Sequence, residues 1–252
     1  AAVQKGFEAK KPVVLHGVTA SGKTELYITL IKEAFTKHKR VLYLLPEIAL
    51  TTQLITRLRI HFTVAVSHSK FSPAERLAAW REALTNDAPL LVLGARSAVF
   101  MPLPDLGLII VDEEHESSYK QYDPAPRYHA RDVAVVRAMN NGATCILGSA
   151  TPSLETLSNA RQGKYTLLEM PERVPIAGKP AKLPDIHVVD LRNEKTLRQQ
   201  NRVLSERLVN AIAARKESSE QTILLLNRRG FSPIMECTSC GWVPECSDCS
   251  VS

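Results

Sequence analysis

The sequence predicts an α/β fold, a parallel β-sheet with helices on both faces. Three observations carry that reading. Short apolar runs alternate with segments of helical periodicity from Val13 to Gly148. The runs are apolar at nearly every position, as in strands buried on both faces, rather than at every second one. A glycine-containing turn joins the first run to the first helical segment, the sequence form of a strand–loop–helix unit. With 252 residues, 44% of them apolar and 23% charged, the chain can build a sizeable core in one large domain or two smaller ones.

The elements follow in order. Val13–His16 is the first strand, and residues 23–37 form the first helix. There Leu26, Leu30 and Ala34, and again Tyr27, Ile31 and Phe35, recur every fourth residue and make one broad apolar face. Strand Val41–Leu45, a helix over 47–60 and strand Thr63–Ser67 come next. Ser72 and Pro73 suit the cap and first position of a helix over 73–85. Strands Leu90–Leu93 and Leu108–Asp112, a helix over 130–141 and strand Ala143–Gly148 complete this part. Prolines at 171, 175, 180 and 184 then mark an extended linker. Beyond it, "IHVVD" (186–190) and "QTILLL" (221–226) read as strands flanking a helix near 204–215, the unfinished start of a second α/β lobe. The expected division is a first lobe over 1–170, a linker over 171–202, the start of a second lobe over 203–236 and a partial cysteine-rich region over 237–252. No apolar run reaches membrane-spanning length, and "AAVQKGFEAKKP" does not read as a signal peptide. The chain lacks an initiating methionine and stops just after a cysteine pair, so a piece of a longer protein is expected.

"GVTASGKT" (17–24) fits the spacing G-x-x-x-x-G-K-[ST]. Backbone N–H groups of Gly17, Val18, Thr19, Ala20, Ser21 and Gly22 would wrap a phosphate, with the helix N-terminus behind them. Lys23 would reach the β- and γ-phosphates of ATP, and Thr24 would offer its hydroxyl to Mg2+. Ala20 stands at a side position where a methyl is tolerated if φ stays negative. The partner of such a loop is an acid at the end of a buried strand. "LGLIIVDEEH" supplies Asp112 for Mg2+ and Glu113 to orient and deprotonate the attacking water. His115 would sense the γ-phosphate through "GSATPS" (148–153), using the hydroxyls of Ser149 and Thr151.

"SSYKQYDPAPRYHARD" interleaves Tyr119, Tyr122 and Tyr128 with Lys120, Arg127, His129 and Arg131. Aromatic rings stack on unpaired bases and cations hold phosphates, so this loop suits single-stranded nucleic acid; an ordinary surface loop is the alternative. Arg96, in "LGARSAVF", contacts a DNA phosphate or makes a structural salt bridge. Pro46 and Glu47 sit at another strand-to-helix turn. The net charge of +6, from 32 basic and 26 acidic residues, allows an acidic partner without requiring one. Cys237, Cys240, Cys246 and Cys249 form two C-x-x-C pairs suited to Zn2+, although single-zinc ribbons usually separate their pairs by roughly fifteen to twenty residues. Cys145 reads as a small buried hydrophobe.

Together "GVTASGKTELY", "LLPEIALT", "GARSAVFMPLPDLGLIIVDEEHESSYKQ", "PRYHARDVAVVRA", "GSATPSLET" and "LLLNRRGF" resemble the bacterial primosomal replication-restart DNA helicases of superfamily 2. The resemblance implies two RecA-like lobes with ATP between them and 3′ to 5′ translocation on single-stranded DNA. It places Lys23, Thr24, Asp112 and Glu113 on nucleotide-handling positions. His115, Ser149 and Thr151 fall on those linking nucleotide to DNA, and Glu47 on the DNA track. It further implies branched fork DNA, single-stranded-DNA-binding protein and other primosome proteins as partners. A cytoplasmic site at the bacterial nucleoid is expected, as are two zinc ions shared with further cysteine pairs. A second-lobe arginine would be missing here, so slow hydrolysis and no unwinding are expected of this segment alone. The competing readings are another superfamily 2 translocase, or a nucleic-acid-binding zinc module with a degenerate ATPase.

Overall fold

A computed structural model of the chain describes residues 11–46, 52–67, 71–175, 184–191, 204–225 and 240. The chain divides into two units, residues 1–183 and 184–252.

The first unit is built on seven strands: β1 (Val13–Gly17), β2 (Arg40–Leu44), β3 (Val64–Ser67), β4 (Leu91–Gly94), β5 (Leu106–Asp112), β6 (Thr144–Ser149) and β7 (Thr166–Met170). They form one sheet in the order β3-β4-β2-β5-β6-β1-β7, with every pairing parallel. Its helices are α1 (Lys23–Thr36), α2 (Thr52–Arg59), α3 (Pro73–Thr85), α4 (Ala130–Asn141) and α5 (Leu154–Arg161). This is the RecA-like α/β arrangement expected from the sequence.

The period-two pleat explains the apolar runs. On β5, Leu108 and Ile110 face one side with Tyr27 and Ile31 of α1, while Ile109 and Val111 face the other with Ala134 and Ala138 of α4. Each side therefore has its own core, and fully burying one such large side chain stabilises the fold by about 1.5–3 kcal/mol. α3 begins as read: Ser72 caps it, Glu75 closes a capping box and Pro73 occupies the first turn.

Two elements escaped the sequence. β7 is an edge strand whose residues are intermediate or exposed, so it lacks the all-apolar signature. α5 is eight residues long, too short to display a period, and is held by its cap, Ser153, which accepts from Thr156 N.

The second unit corrects two strand expectations. Residues 186–190 and 221–225 lie outside any strand among the described residues, with Ile186, Val188, Ile223 and Leu225 all at least 83% exposed. Their β-branched character favours extension, but a strand exists only when a neighbour pairs with it. The helix between them, α6 (Glu206–Glu217), is present and capped by Ser205.

Candidate nucleotide-binding site

Parallel register brings the motifs to one edge of the sheet. Asp112 ends β5 opposite Gly148 of β6, and Ser149 of β6 sits opposite His16, one residue before Gly17. β5 and β1 flank β6, so their ends lie roughly 10 Å apart, two strand spacings.

The chain leaves β1 at Gly17 and enters α1 at Lys23. In the intervening loop Ser21 N donates to Val18 O at 3.0 Å. A Cβ on Gly17 would fall 2.6 Å from Ser21 Oγ and 3.1 Å from Lys23 Cγ, so a side chain there would push aside the loop's own Ser21 and Lys23. Gly22 caps α1 at φ 90°, a left-handed geometry that glycine adopts freely. No side chain caps this N-terminus, which leaves its positive end open to an anion. Lys23 Nζ donates to Gly17 O at 2.6 Å, folding across the loop. Ser21 Oγ is buried with no hydrogen-bond partner. A tight glycine cradle, an unused buried hydroxyl and an uncapped helix end fit a phosphate group.

The expectation for Ala20 is corrected. Its φ is +63°, in the left-handed region, so the methyl is carried at a steric cost instead of on ordinary backbone.

Loop and acids line one cleft of about 330 Å³, bordered by Thr24, Arg57, Asp112, Glu113 and Val174 among others. Thr24, Asp112 and Glu113 are oxygen donors of the kind Mg2+ takes. Three hydrogen bonds hold the Asp112 carboxylate. Its Oδ1 accepts from Tyr27 Oη at 3.1 Å and from Glu113 N at 3.1 Å, and its Oδ2 accepts from Tyr43 Oη at 3.1 Å. Burial, and then the neighbouring Glu113 charge, push the Asp112 carboxyl above its ordinary range, while the tyrosine hydroxyls pull it down. Burial and the Asp112 charge raise both tyrosines well above the usual phenol value. Glu113 adopts φ 47°, rare for a side chain of its size and typical of strained functional positions.

His115 meets the loop expected of it. Its Nδ1 is 2.7 Å from Ser149 Oγ and 3.7 Å from a Glu113 carboxylate oxygen, and its Nε2 is 3.4 Å from Thr151 Oγ1. Ser149 is fully buried, and its Oγ also accepts from Thr151 N at 2.9 Å.

The aromatic loop is divided. Tyr119 is fully buried and donates to Asp112 O at 2.7 Å, so it has no open face for a base. Arg131 is buried in an ion pair with Glu114 at 3.0 Å, which removes it from the set available to phosphates. Lys120 pairs with His129 through an isolated antiparallel backbone bridge, Arg127 is exposed, and Tyr128 packs edge-on against Phe100 at 4.9 Å. Arg96 donates to Lys120 O at 3.0 Å, holding the start of this loop.

Of the cysteines, Cys145 is buried, and burial pushes its thiol up to about 12. Cys240 is exposed and unpaired. Cys237, Cys246 and Cys249, like Glu47, lie outside the described residues. Among the described residues no group of three or more potential ligands could hold a metal ion. Nor is any described helix long and apolar enough to cross a membrane.

Sequence reasoning missed Tyr27, Tyr43, Glu114, Arg57 and Val174. The two tyrosines were legible only as apolar face and apolar strand. Yet a buried phenol needs a partner for its hydroxyl, and the nearest strand-end carboxylate was the signal. Val174 N donates to Ala20 O at 2.9 Å, bringing the segment after β7 onto the loop.

A phosphate cradle and a strand-end acid pair in one cleft of a parallel sheet define a nucleotide-handling α/β domain. The chain belongs to the DEAD/DEAH box helicase family, whose profile matches residues 1–160. Its curated relatives include Replication restart protein PriA of Bacillus subtilis, 44% identical over 245 residues, 96% of this chain and 29% of that protein. The PriA of Synechocystis is 48% identical over 249 residues, 95% of this chain and again 29% of its own length. That of Haemophilus influenzae is 43% identical over 94% of this chain and 31% of its own. The chain thus spans about a third of the relatives it matches. Among solved structures, the helicase domain of Pyrococcus furiosus Hef is 20% identical over 67% of this chain and 37% of its own, with a TM-score of 0.45.

Proposed function

We propose that this chain is the nucleotide-binding motor core of an ATP-dependent 3′ to 5′ DNA helicase that acts in restarting stalled replication forks. The observation that carries the reading is the shared cleft: loop residues 19–24 and the Asp112–Glu113 pair line one space at one edge of the sheet. High identity to replication restart proteins over nearly the whole chain supports the biological setting.

In this reading the loop amides and Lys23 hold the β- and γ-phosphates of ATP. Thr24 and Asp112 hold Mg2+, which when bound neutralises charge on the phosphate oxygens. Glu113 orients the attacking water and takes its proton, for which its half-buried, strained position at the cleft suits it. His115 carries the state of that site to Ser149 and Thr151. Lys120, Arg127 and Tyr128 contact single-stranded DNA, and Arg96 positions their loop. Fork DNA, single-stranded-DNA-binding protein and other primosome components are the partners, in the bacterial cytoplasm at the nucleoid. The two cysteine pairs belong to a zinc-binding region. The segment by itself binds nucleotide and turns it over slowly.

The test is ATP turnover by the chain in its full protein context, with and without single-stranded DNA. Single-stranded DNA should stimulate the wild type. Glu113→Gln should lose on the order of 10²-fold or more in turnover while still binding nucleotide. Equal turnover with and without DNA, or an unimpaired Glu113→Gln protein, refutes the reading.

A further inference from the structure

We infer that Tyr27 and Tyr43 are positioning residues that aim the Asp112 carboxylate, leaving one lone pair of Oδ2 for a cation. The inference rests on the nucleotide-site reading above and assigns it two further residues.

Two fully buried phenols from different elements, α1 and β2, converge on one carboxylate, one on each oxygen. Their rings stand edge to face at 5.6 Å and 73°, inside an otherwise apolar core layer. Phenylalanine would fill the same space without bringing a hydroxyl into it, and burying a hydroxyl costs free energy unless it is bonded. An ionised carboxylate offers about four lone-pair sites. Oδ1 uses both of its own on Tyr27 and Glu113 N, whereas Oδ2 uses one on Tyr43. The remaining site is therefore on Oδ2, and the side chain has no freedom to present another. Tyr119 holds the same residue by its backbone carbonyl, so the strand end is fixed as well.

The path of Tyr27 is itself specified. Its hydroxyl passes over β6 at Gly148, where a Cβ would lie 1.7 Å from Tyr27 Oη. Any larger residue there displaces the hydroxyl from Asp112. Gly148 thus belongs to the same device, though it makes no bond to the acid.

Outer partners that orient a metal-binding carboxylate are typically worth about 10–100-fold in metal affinity. The experiment is a Mg2+ titration of fluorescent ATP-analogue binding, with a parallel titration in EDTA. It compares the wild type with Tyr27→Phe, Tyr43→Phe, the double variant and Gly148→Ala, each first checked for cooperative melting. The double variant should need about 10-fold more Mg2+ for half-maximal enhancement of binding. Each single variant and Gly148→Ala should shift in the same direction by less. Affinity in EDTA, carried by the loop and Lys23, should not follow that shift. If the double variant does not fold, the singles and Gly148→Ala decide. Wild-type Mg2+ dependence in every folded variant overturns the inference, as does an equal loss with and without Mg2+, which marks a merely structural role. A wild type indifferent to Mg2+, or a Lys23→Ala protein that binds as well as wild type, refutes instead the reading on which the inference rests.

Discussion

At the scale of single residues, the site is held in backbone geometries that most side chains avoid. Ala20 and Glu113 both have positive φ, and each borders the same cleft. Of the two, only Glu113 brings a carboxylate to that cleft. For Ala20 the left-handed region costs roughly 1–2 kcal/mol, and glycine would return roughly 0.5–1 of that through its freer unfolded state. Ala20→Gly should therefore stabilise the fold by about 0.5–1 kcal/mol in urea denaturation. A loss of stability contradicts the strained geometry. The strain was not legible in the sequence because a backbone angle set by loop closure leaves no mark on residue type. That Lys23, Thr24 and the acid pair would share one cleft was legible, because the loop spacing and the strand-end acids both point to the same edge of a parallel sheet. Tyr27 was half legible: its period of four predicted a core face correctly and concealed that its hydroxyl has a second task.

At the scale of elements, one buried network ties three segments together. Glu114 is fully buried at the turn after β5. It pairs with Arg131 in α4 and accepts from Ser153 N at 2.7 Å and Thr156 Oγ1 at 2.9 Å at the start of α5. The turn carrying Glu113 and His115 thus cannot shift without pulling on the helices that follow the aromatic loop and "GSATPS". Glu114→Ala leaves the buried Arg131 charge with the more exposed Asp132 as its counterion and a hydrogen bond to Ser153 Oγ at 2.7 Å, and breaking such a pair costs about 3–5 kcal/mol. Chemical denaturation should register that loss, and Glu114→Gln should fall between it and wild type; a loss below about 1 kcal/mol would mean the network is not structural. Strands buried on both faces were readable from their unbroken apolar runs. β7 was not, since an edge strand with exposed positions lacks that pattern. "IHVVD" and "QTILLL" erred the other way, because strand propensity is local and strand pairing is not.

At the scale of the whole first unit, two candidate groups sit at one edge of a seven-stranded sheet, the glycine loop at the end of β1 and the acid pair at the end of β5. The order β5-β6-β1 puts them two strands apart, with the strand that ends at Ser149 between them. Alternating strand and helix patterns made the parallel sheet legible, but not the strand order, which depends on which crossovers pack. A single comparison weighs this account as a whole: calorimetric titration of Mg-ATP into the wild type and into Lys23→Ala. The account predicts a saturable exotherm for the wild type and a roughly 10–100-fold weaker one for the variant, the worth of about 1.5–3 kcal/mol for a hydrogen bond to a charged group. Equal affinity for both proteins would contradict it, because the cradle would then not be where the triphosphate binds.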